Sequence, residues 1–385
     1  MKKRNLIYLL IFTIFLSGCW DAQQPERMYY GFGLGVDYKD GKYEVYVQLI
    51  SFANVAKSQQ ENQDVRQAEI GYGTGKDIDE AVNNLYHSVD EVIYWGHLTF
   101  VIFGENVLKN GNINSVIDVL TRLSEARYNT WVYATDDHLE EILISTPLLE
   151  KGITLTKLGD PINTYKQDSY IDLYSIRKLI TRLHEPSYTA NIPYIKIAKN
   201  WRTKDGIDDA TDVNGIAVVT PTGFQGFIKG KKADGLQWLS KKTIRTNLTT
   251  KVKVASEGND YLSFSMRHIS SKVVPVINGT DVKFDITIRA SGKLDGLQSN
   301  ITKKMIEKEV AKQVKKEVMD TFKAGLEMDV DVYRLSEVLY RKNVKLWKQI
   351  NKDGKVPLNE DSIQIHFILE KISSGRKEFE ETITK

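Results

Sequence analysis

Cys19 is the only cysteine among 385 residues, and its surroundings suit it to covalent chemistry. Lys2, Lys3 and Arg4 precede an apolar run from Leu6 to Leu16, and Ser17-Gly18 stand directly before the thiol. The run is eleven residues long, whereas a helix needs about 20 to cross the hydrocarbon core of a bilayer. The segment therefore reads as a lipoprotein signal peptide, residues 1–18, removed on export. Small residues before Cys19 admit a signal peptidase to the backbone, the thiol can take a diacylglycerol, and the freed amine can take a further acyl chain. Cys19 is the expected lipid attachment residue, an N-acyl, S-diacylglycerol cysteine at the mature N-terminus. Two or more chains are needed for firm anchoring, because one binds only marginally.

The other arrangements that suggest chemistry fail in detail. Gly71-Tyr72-Gly73-Thr74-Gly75-Lys76 invites a phosphate-loop reading, but Ile70 and Asp77 stand where that motif needs Gly and Ser or Thr. Gly31, Gly33 and Gly35 miss the dinucleotide fingerprint, since Val36 follows and then a second strand. The six histidines, at 87, 97, 138, 184, 268 and 366, share no zinc-ligand spacing. His184-Glu185 opens like a metalloprotease helix, yet Pro186 interrupts it and Tyr188 occupies the second ligand position. No Gly-x-Ser-x-Gly elbow occurs, and the aspartates at 37, 40, 205, 208, 209 and 212 lack the order of a calcium loop. The sequence thus predicts no catalytic residue, cofactor or metal.

Charge narrows the partners. Loss of residues 1–18 removes three basic residues and leaves 50 Lys and Arg against 50 Asp and Glu. A neutral chain gives no electrostatic basis for nucleic acid or for a polybasic membrane patch. The length allows two or three domains with real cores, and a single cysteine allows no internal disulfide.

The elements that would carry these residues alternate between strands and helices. Met28–Tyr38 and Lys42–Ser51 predict a hairpin turning at Asp40-Gly41. A short strand ending at Gly75 leads into a helix opened by an Asp77/Glu80 capping box, with Ile78, Val82, Leu85 and Val89 on one face. Leu98–Phe103 is nearly all apolar and suits a central strand. A second helix carries Ile113, Val116, Ile117, Leu120 and Leu123, and a strand follows over Thr130–Ala134. Thr135-Asp136-Asp137 would cap the next helix, and another is expected over Tyr170–Leu183. The polar stretch Asn200–Asp212 reads as a linker.

Beyond it the pattern changes to long alternating strands: Val213–Thr220, Gly223–Lys229, Ile244–Ala255, Asp260–Ile269 and Asp281–Ser291. The longest helix, Ile301–Ala324, has a stripe that advances mainly by four, which suits wrapping across a curved sheet better than a coiled coil. A last helix is expected from Asp331, then strands at Ser362–Ile372 and Arg376–Ile383. The fold class is α+β, with mixed and antiparallel sheets flanked by helices in two to three compact domains. Their expected bounds are 20–199 and 213–385, separated by 200–212, with a further division of the second, where there are three, near 256.

Several of these segments, in order, resemble the C-subunit lipoproteins of spore nutrient germinant receptors, the Ger(x)C family. Gly18-Cys19-Trp20-Asp21, Gly35-Val36-Asp37, Gly75-Lys76-Asp77-Ile78-Asp79-Glu80-Ala81 and Tyr94-Trp95-Gly96-His97 carry the likeness in the first half, with Arg122 and Arg127-Tyr128-Asn129-Thr130-Trp131-Val132. In the second half it is carried by Asn214-Gly215-Ile216-Ala217-Val218, Gly226-Phe227, Gly235-Leu236-Gln237-Trp238-Leu239, and Asp331-Val332-Tyr333 through Trp347. Pro221-Thr222-Gly223-Phe224 departs from the family pattern, lacking a basic pair. The resemblance implies a non-enzymatic subunit held by Cys19 to membrane lipid, on the outer face of the inner spore membrane. It implies integral membrane partners of the A and B type. The alternative is a lipid-anchored solute-binding protein of a transporter, which would call for repeated βα units and nearly all-apolar parallel strands.

Overall fold

The computed structural model describes residues 27–50, 68–122, 125, 127–145, 148–204, 206–254, 258–294 and 302–373. Cys19, the signal segment, Leu123 and the strand expected over Arg376–Ile383 lie outside them. The described residues form a nine-stranded mixed sheet and a four-stranded sheet, each with its own apolar core.

Strands β1 (Met28–Lys39) and β2 (Lys42–Ile50) make the expected hairpin. Asp40 and Gly41 have φ of 50° and 80°, the paired left-handed residues that a tight two-residue turn needs. β3 (Ala68–Gly75) adds to β2, and helix α1 (Ile78–Tyr86) lies across it. Gly71, Gly73 and Gly75 let the helix sit this close. A Cβ on Gly73 would come within 2.2 Å of the Ala81 carbonyl oxygen, and one on Gly75 within 2.4 Å of the Ala81 amide nitrogen. Gly73→Ala is therefore expected to cost about 1–3 kcal/mol, as overpacking against backbone that cannot move aside. Urea denaturation checks this, and an unchanged midpoint would show that the glycines serve no packing purpose.

The Asp77 carboxylate accepts from the Glu80 amide at 2.8 Å, as expected. The return bond of the box differs, because Glu80 accepts from the Lys76 amide, one residue earlier than the N-cap.

β4 (Val92–Tyr94) pairs with the start of β1. β5 (Phe100–Gly104) is wholly buried and runs parallel between β1 and β6 (Trp131–Thr135), the central strand that its apolar run predicts. Its side chains alternate between two cores. Val101 and Phe103 face α1, α3 (Ile113–Arg122) and α6 (Ile176–His184), while Phe100 and Ile102 face α4 (Leu139–Ile144). The short helices α2 (Glu105–Lys109) and α5 (Pro161–Gln167) complete this half.

Two expectations in this half are corrected. The helix expected from Tyr170 begins only at Ile176, because Ser175 caps it through the Lys178 amide and Tyr174 instead accepts from the Val132 amide. Thr135-Asp136-Asp137 does not cap α4 by side chain. Asp136 accepts from the Tyr194 hydroxyl at 2.6 Å and pairs with Lys229, and Asp137 accepts from the Ile197 amide, so these acids tie neighbouring strands together. The stretch Asn200–Asp212, expected as a linker, is paired backbone. Its described residues belong to the paired strands β7 (Ala190–Thr203) and β8 (Gly206–Thr220), a hairpin whose far end extends past the core into solvent. β9 (Gly223–Lys229) closes that edge.

After the one-turn helix α7 (Leu236–Leu239), the second sheet runs in the order β10 (Arg245–Val254), β11 (Gly258–Asn278), β12 (Asp281–Leu294), β13 (Ile363–Ser373). β12 buries Val282, Phe284, Ile286 and Ile288 on one face, as its alternation predicts. β11 is far longer than its alternating stretch and bends at an irregularity between Arg267 and Ser270, where His268 has φ 52°.

Helix α8 (Lys303–Glu327) packs against both edge strands, β10 and β13, so it crosses the sheet as the winding stripe implies. Ile306, not Met305, begins its buried row. The last helix is two, α9 (Leu335–Lys342) and α10 (Val344–Ile350), because Asn343 leaves helical geometry and caps α10 through the Leu346 amide.

Candidate functional site

Sequence reasoning singles out one site residue, Cys19, and it lies outside the described residues. Within them, a polar seam joins the two halves of the chain. Its first side is the segment between α6 and β7. Ser187 and Tyr188 have φ of 83° and 44°, a left-handed conformation uncommon for residues with a side chain. Long-range bonds hold it in place: the Ser187 amide donates to the Gly354 carbonyl at 2.9 Å, and its hydroxyl donates to Asp331 at 3.1 Å.

The second side is built by residues 331–341. Asp331 is fully buried, and its carboxylate accepts from the amides of Leu335 at 2.8 Å and Ser336 at 2.7 Å. It thus caps the start of α9, although the residue at the geometric N-cap is Arg334. Arg334, with φ 57°, turns its guanidinium back across the seam. It donates to the carbonyl oxygens of Thr189 at 2.5 Å, Pro186 at 3.1 Å and Arg182 at 3.3 Å, and to Glu337 at 2.7 Å. Glu337 also pairs with Arg182 at 2.6 Å and Arg341 at 2.7 Å. Burial works to raise the Glu337 pKa, but the bond and charge of Arg334, aided by Arg182 and Arg341, outweigh it and hold the carboxyl below its ordinary range. Asn191 adds a bond to the Val332 carbonyl at 2.9 Å. Apolar contact runs alongside, with Ile216, Val218 and Ile228 meeting Ala324, Val330 and Val332.

A second cluster fixes α8. The Trp238 ring is fully buried and its Nε1–H donates to Glu317 at 2.7 Å, while the Gly235 amide donates to Thr321 at 2.9 Å. A Cβ on Gly235 would lie 2.3 Å from the Tyr333 hydroxyl, which explains glycine there. Burial pushes Glu317 up to about 7, against the opposing effect of bonds from Gln313 and Trp238.

Chemically, both clusters are closed. The charged groups of the seam bond one another or backbone, which suits holding two units in one orientation. Glu185, Asp331, Arg334 and Glu337 lie in segments that the sequence marks, but the sequence assigns none of them, nor Arg182 or Glu317, a role in a seam. The available signals were the Glu337/Arg341 spacing of four and Asp331 four residues before Leu335, both common on ordinary helices. The His184 Nδ1 lies 2.8 Å from the Ile180 carbonyl of its own helix. Among the described residues no three His, Cys, Asp or Glu side chains converge as metal ligands, and no helix is long and apolar enough to cross a membrane.

Two sheets flanked by helices and joined through a saturated polar seam define an α+β protein of a known architecture. The fold is similar to that in the crystal structure of the GerBC protein, with a TM-score of 0.55 and 16% identity, covering 88% of this chain and 96% of that one. Residues 21–197 match the spore germination protein N-terminal domain, and residues 214–367 match the spore germination B3/GerAC-like C-terminal domain. The chain belongs to this spore germination family, the Ger(x)C proteins. Spore germination protein KC of Bacillus subtilis (strain 168) is 24% identical, across 89% of this chain and 88% of that protein. Spore germination protein B3 of the same organism is 23% identical, across 91% and 92%.

Proposed function

We propose that this chain is the C subunit of a spore nutrient germinant receptor, a non-enzymatic component acting with integral membrane subunits of the A and B type. In this reading it is held on the outer face of the inner spore membrane by lipid on Cys19. The observation that carries it is the pair of germination-family matches, which follow each other in order and cover most of the chain. The Leu16-Ser17-Gly18-Cys19 segment supports the anchor, because the mature chain offers no basic excess to bind anionic lipid. The closed seam supports an assembly role over catalysis. The chain is proposed to act as two units, 20–199 and 213–385, with Asn200–Asp212 as the boundary between them.

Confinement to a membrane raises the effective concentration of a subunit toward membrane-embedded partners. Cys19→Ala is therefore expected to abolish fatty-acid labelling and to lower nutrient-triggered germination at matched protein level. The paired measurements are metabolic labelling and germination of spores against a nutrient panel, with a gene deletion alongside. Unlabelled wild type would defeat the anchor. Normal germination by the deletion strain in every nutrient would defeat the receptor role.

A further inference from the structure

Parallel strands β1, β5 and β6 all begin at one end of the nine-stranded sheet, and a polar cavity of about 140 Å³ opens there between the segments 96–99 and 127–131. These belong to two stretches 30 residues apart that the family resemblance marks separately; only the fold brings them together. Its volume is similar to the ~150 Å³ of an engineered cavity that holds one benzene.

The walls are rigid. The Trp131 amide donates to the Thr99 carbonyl at 2.8 Å, and the Thr130 hydroxyl donates to the carbonyls of Leu98 at 3.0 Å and Arg127 at 2.7 Å. The Thr99 hydroxyl donates to the His97 carbonyl at 2.9 Å, and the Arg177 amide anchors the loop from behind through the Tyr128 carbonyl. Several carbonyls of the rim thus already accept bonds, and a strong donor stays available: Arg127 is exposed, and among the described residues no carboxylate lies within ion-pairing distance of it. Asn129 contributes a second exposed amide. The His97 ring packs edge-on against Tyr30 at 5.2 Å, and both burial and the Arg127 charge lower its basicity, the direction expected where no acid offsets the arginine.

We propose that this cavity binds a phosphate oxyanion, either free in solution or carried by a phospholipid headgroup. A guanidinium fork matches phosphate oxygens in pairs. The site also lies at the end of the sheet where β1 starts. Eight chain steps separate Arg27 from Cys19, a reach of at most about 29 Å. The headgroup source rests on the Cys19 anchor; the oxyanion site itself does not.

The test uses the full-length chain in non-ionic detergent, titrated calorimetrically with inorganic phosphate against a chloride control. A second arm measures capture by nanodiscs of phosphatidylglycerol compared with nanodiscs of a phosphate-free glycolipid. Arg127→Ala is expected to weaken phosphate binding at least tenfold without shifting the melting temperature, and Arg127→Lys to retain part of it. Arginine dependence in both arms assigns the headgroup, and dependence with inorganic phosphate alone assigns the free ion. Wild type that prefers phosphate no more than chloride, or an Arg127→Ala chain that binds as wild type, overturns the site. Acylation is scored separately by intact mass, so failure of the anchor is not mistaken for failure of the cavity.

Discussion

Asp331→Ala is expected to lower stability by about 3–5 kcal/mol, one of the two largest effects expected in this chain. Its carboxylate is fully buried and accepts from two α9 amides and from the Ser187 hydroxyl. Each hydrogen bond to a charged group contributes about 1.5–3 kcal/mol, and deletion leaves the donors buried without partners. The bonds share one acceptor group, so their losses do not simply add. Asp331→Asn keeps one acceptor oxygen and should lose roughly half as much. Urea denaturation followed by tryptophan fluorescence and by far-UV circular dichroism measures both. Because the Ser187 bond crosses the seam, the two probes should coincide in wild type and separate in Asp331→Ala. A loss under about 1 kcal/mol with coincident probes would show that the seam does not couple the halves.

Glu317→Gln should do the opposite and stabilise the protein, by an amount that grows as pH rises from about 4.5 and is complete above about 7. Burial raises the folded-state pKa of Glu317 from its ordinary 4.5 to about 7. Between those values the folded state holds a proton that the unfolded state has released, so stability falls as pH rises and levels off above about 7. The full penalty for ionising the buried acid is about 3 kcal/mol, at 1.36 kcal/mol per pKa unit. Glutamine carries no charge and keeps a carbonyl oxygen for the Trp238 Nε1–H, while Gln313 can turn its amide to match. The variant should thus gain up to about 3 kcal/mol at pH 8 and almost nothing at pH 4. Equal gains at both pH values would show that packing, not ionisation, separates the two side chains.

Local features were legible wherever neighbours in sequence are also neighbours in space. Asp40-Gly41 makes its turn because both residues tolerate positive φ. β12 buries Val282, Phe284, Ile286 and Ile288 because alternate side chains of a strand point to opposite faces. The Asp77 cap, the fully apolar β5 and the winding stripe of α8 are of the same kind. The proposed Cys19 signal rests on a different kind of reading: a charged start, a short apolar run and small residues before a cysteine, in that order.

Errors arose where tertiary contacts overrode local preference. Asp136 and Asp137 have capping chemistry, yet Tyr194, Lys229 and Ile197 claim them instead. Residues 170–174 have helical periodicity, but Tyr174 bonds to Val132 and delays the helix to Ile176.

By itself, then, the sequence determined the α+β class, most strands and helices, and the family resemblance. These depend on residue type and short spacing. Only the tertiary structure decided that Arg182, Glu185 and Ser187 meet Asp331, Arg334 and Glu337, and that segments 96–99 and 127–131 enclose one cavity. Partners far apart along the chain leave no periodic trace, because their encounter is set by sheet register and helix docking, and those depend on the packing of the whole core.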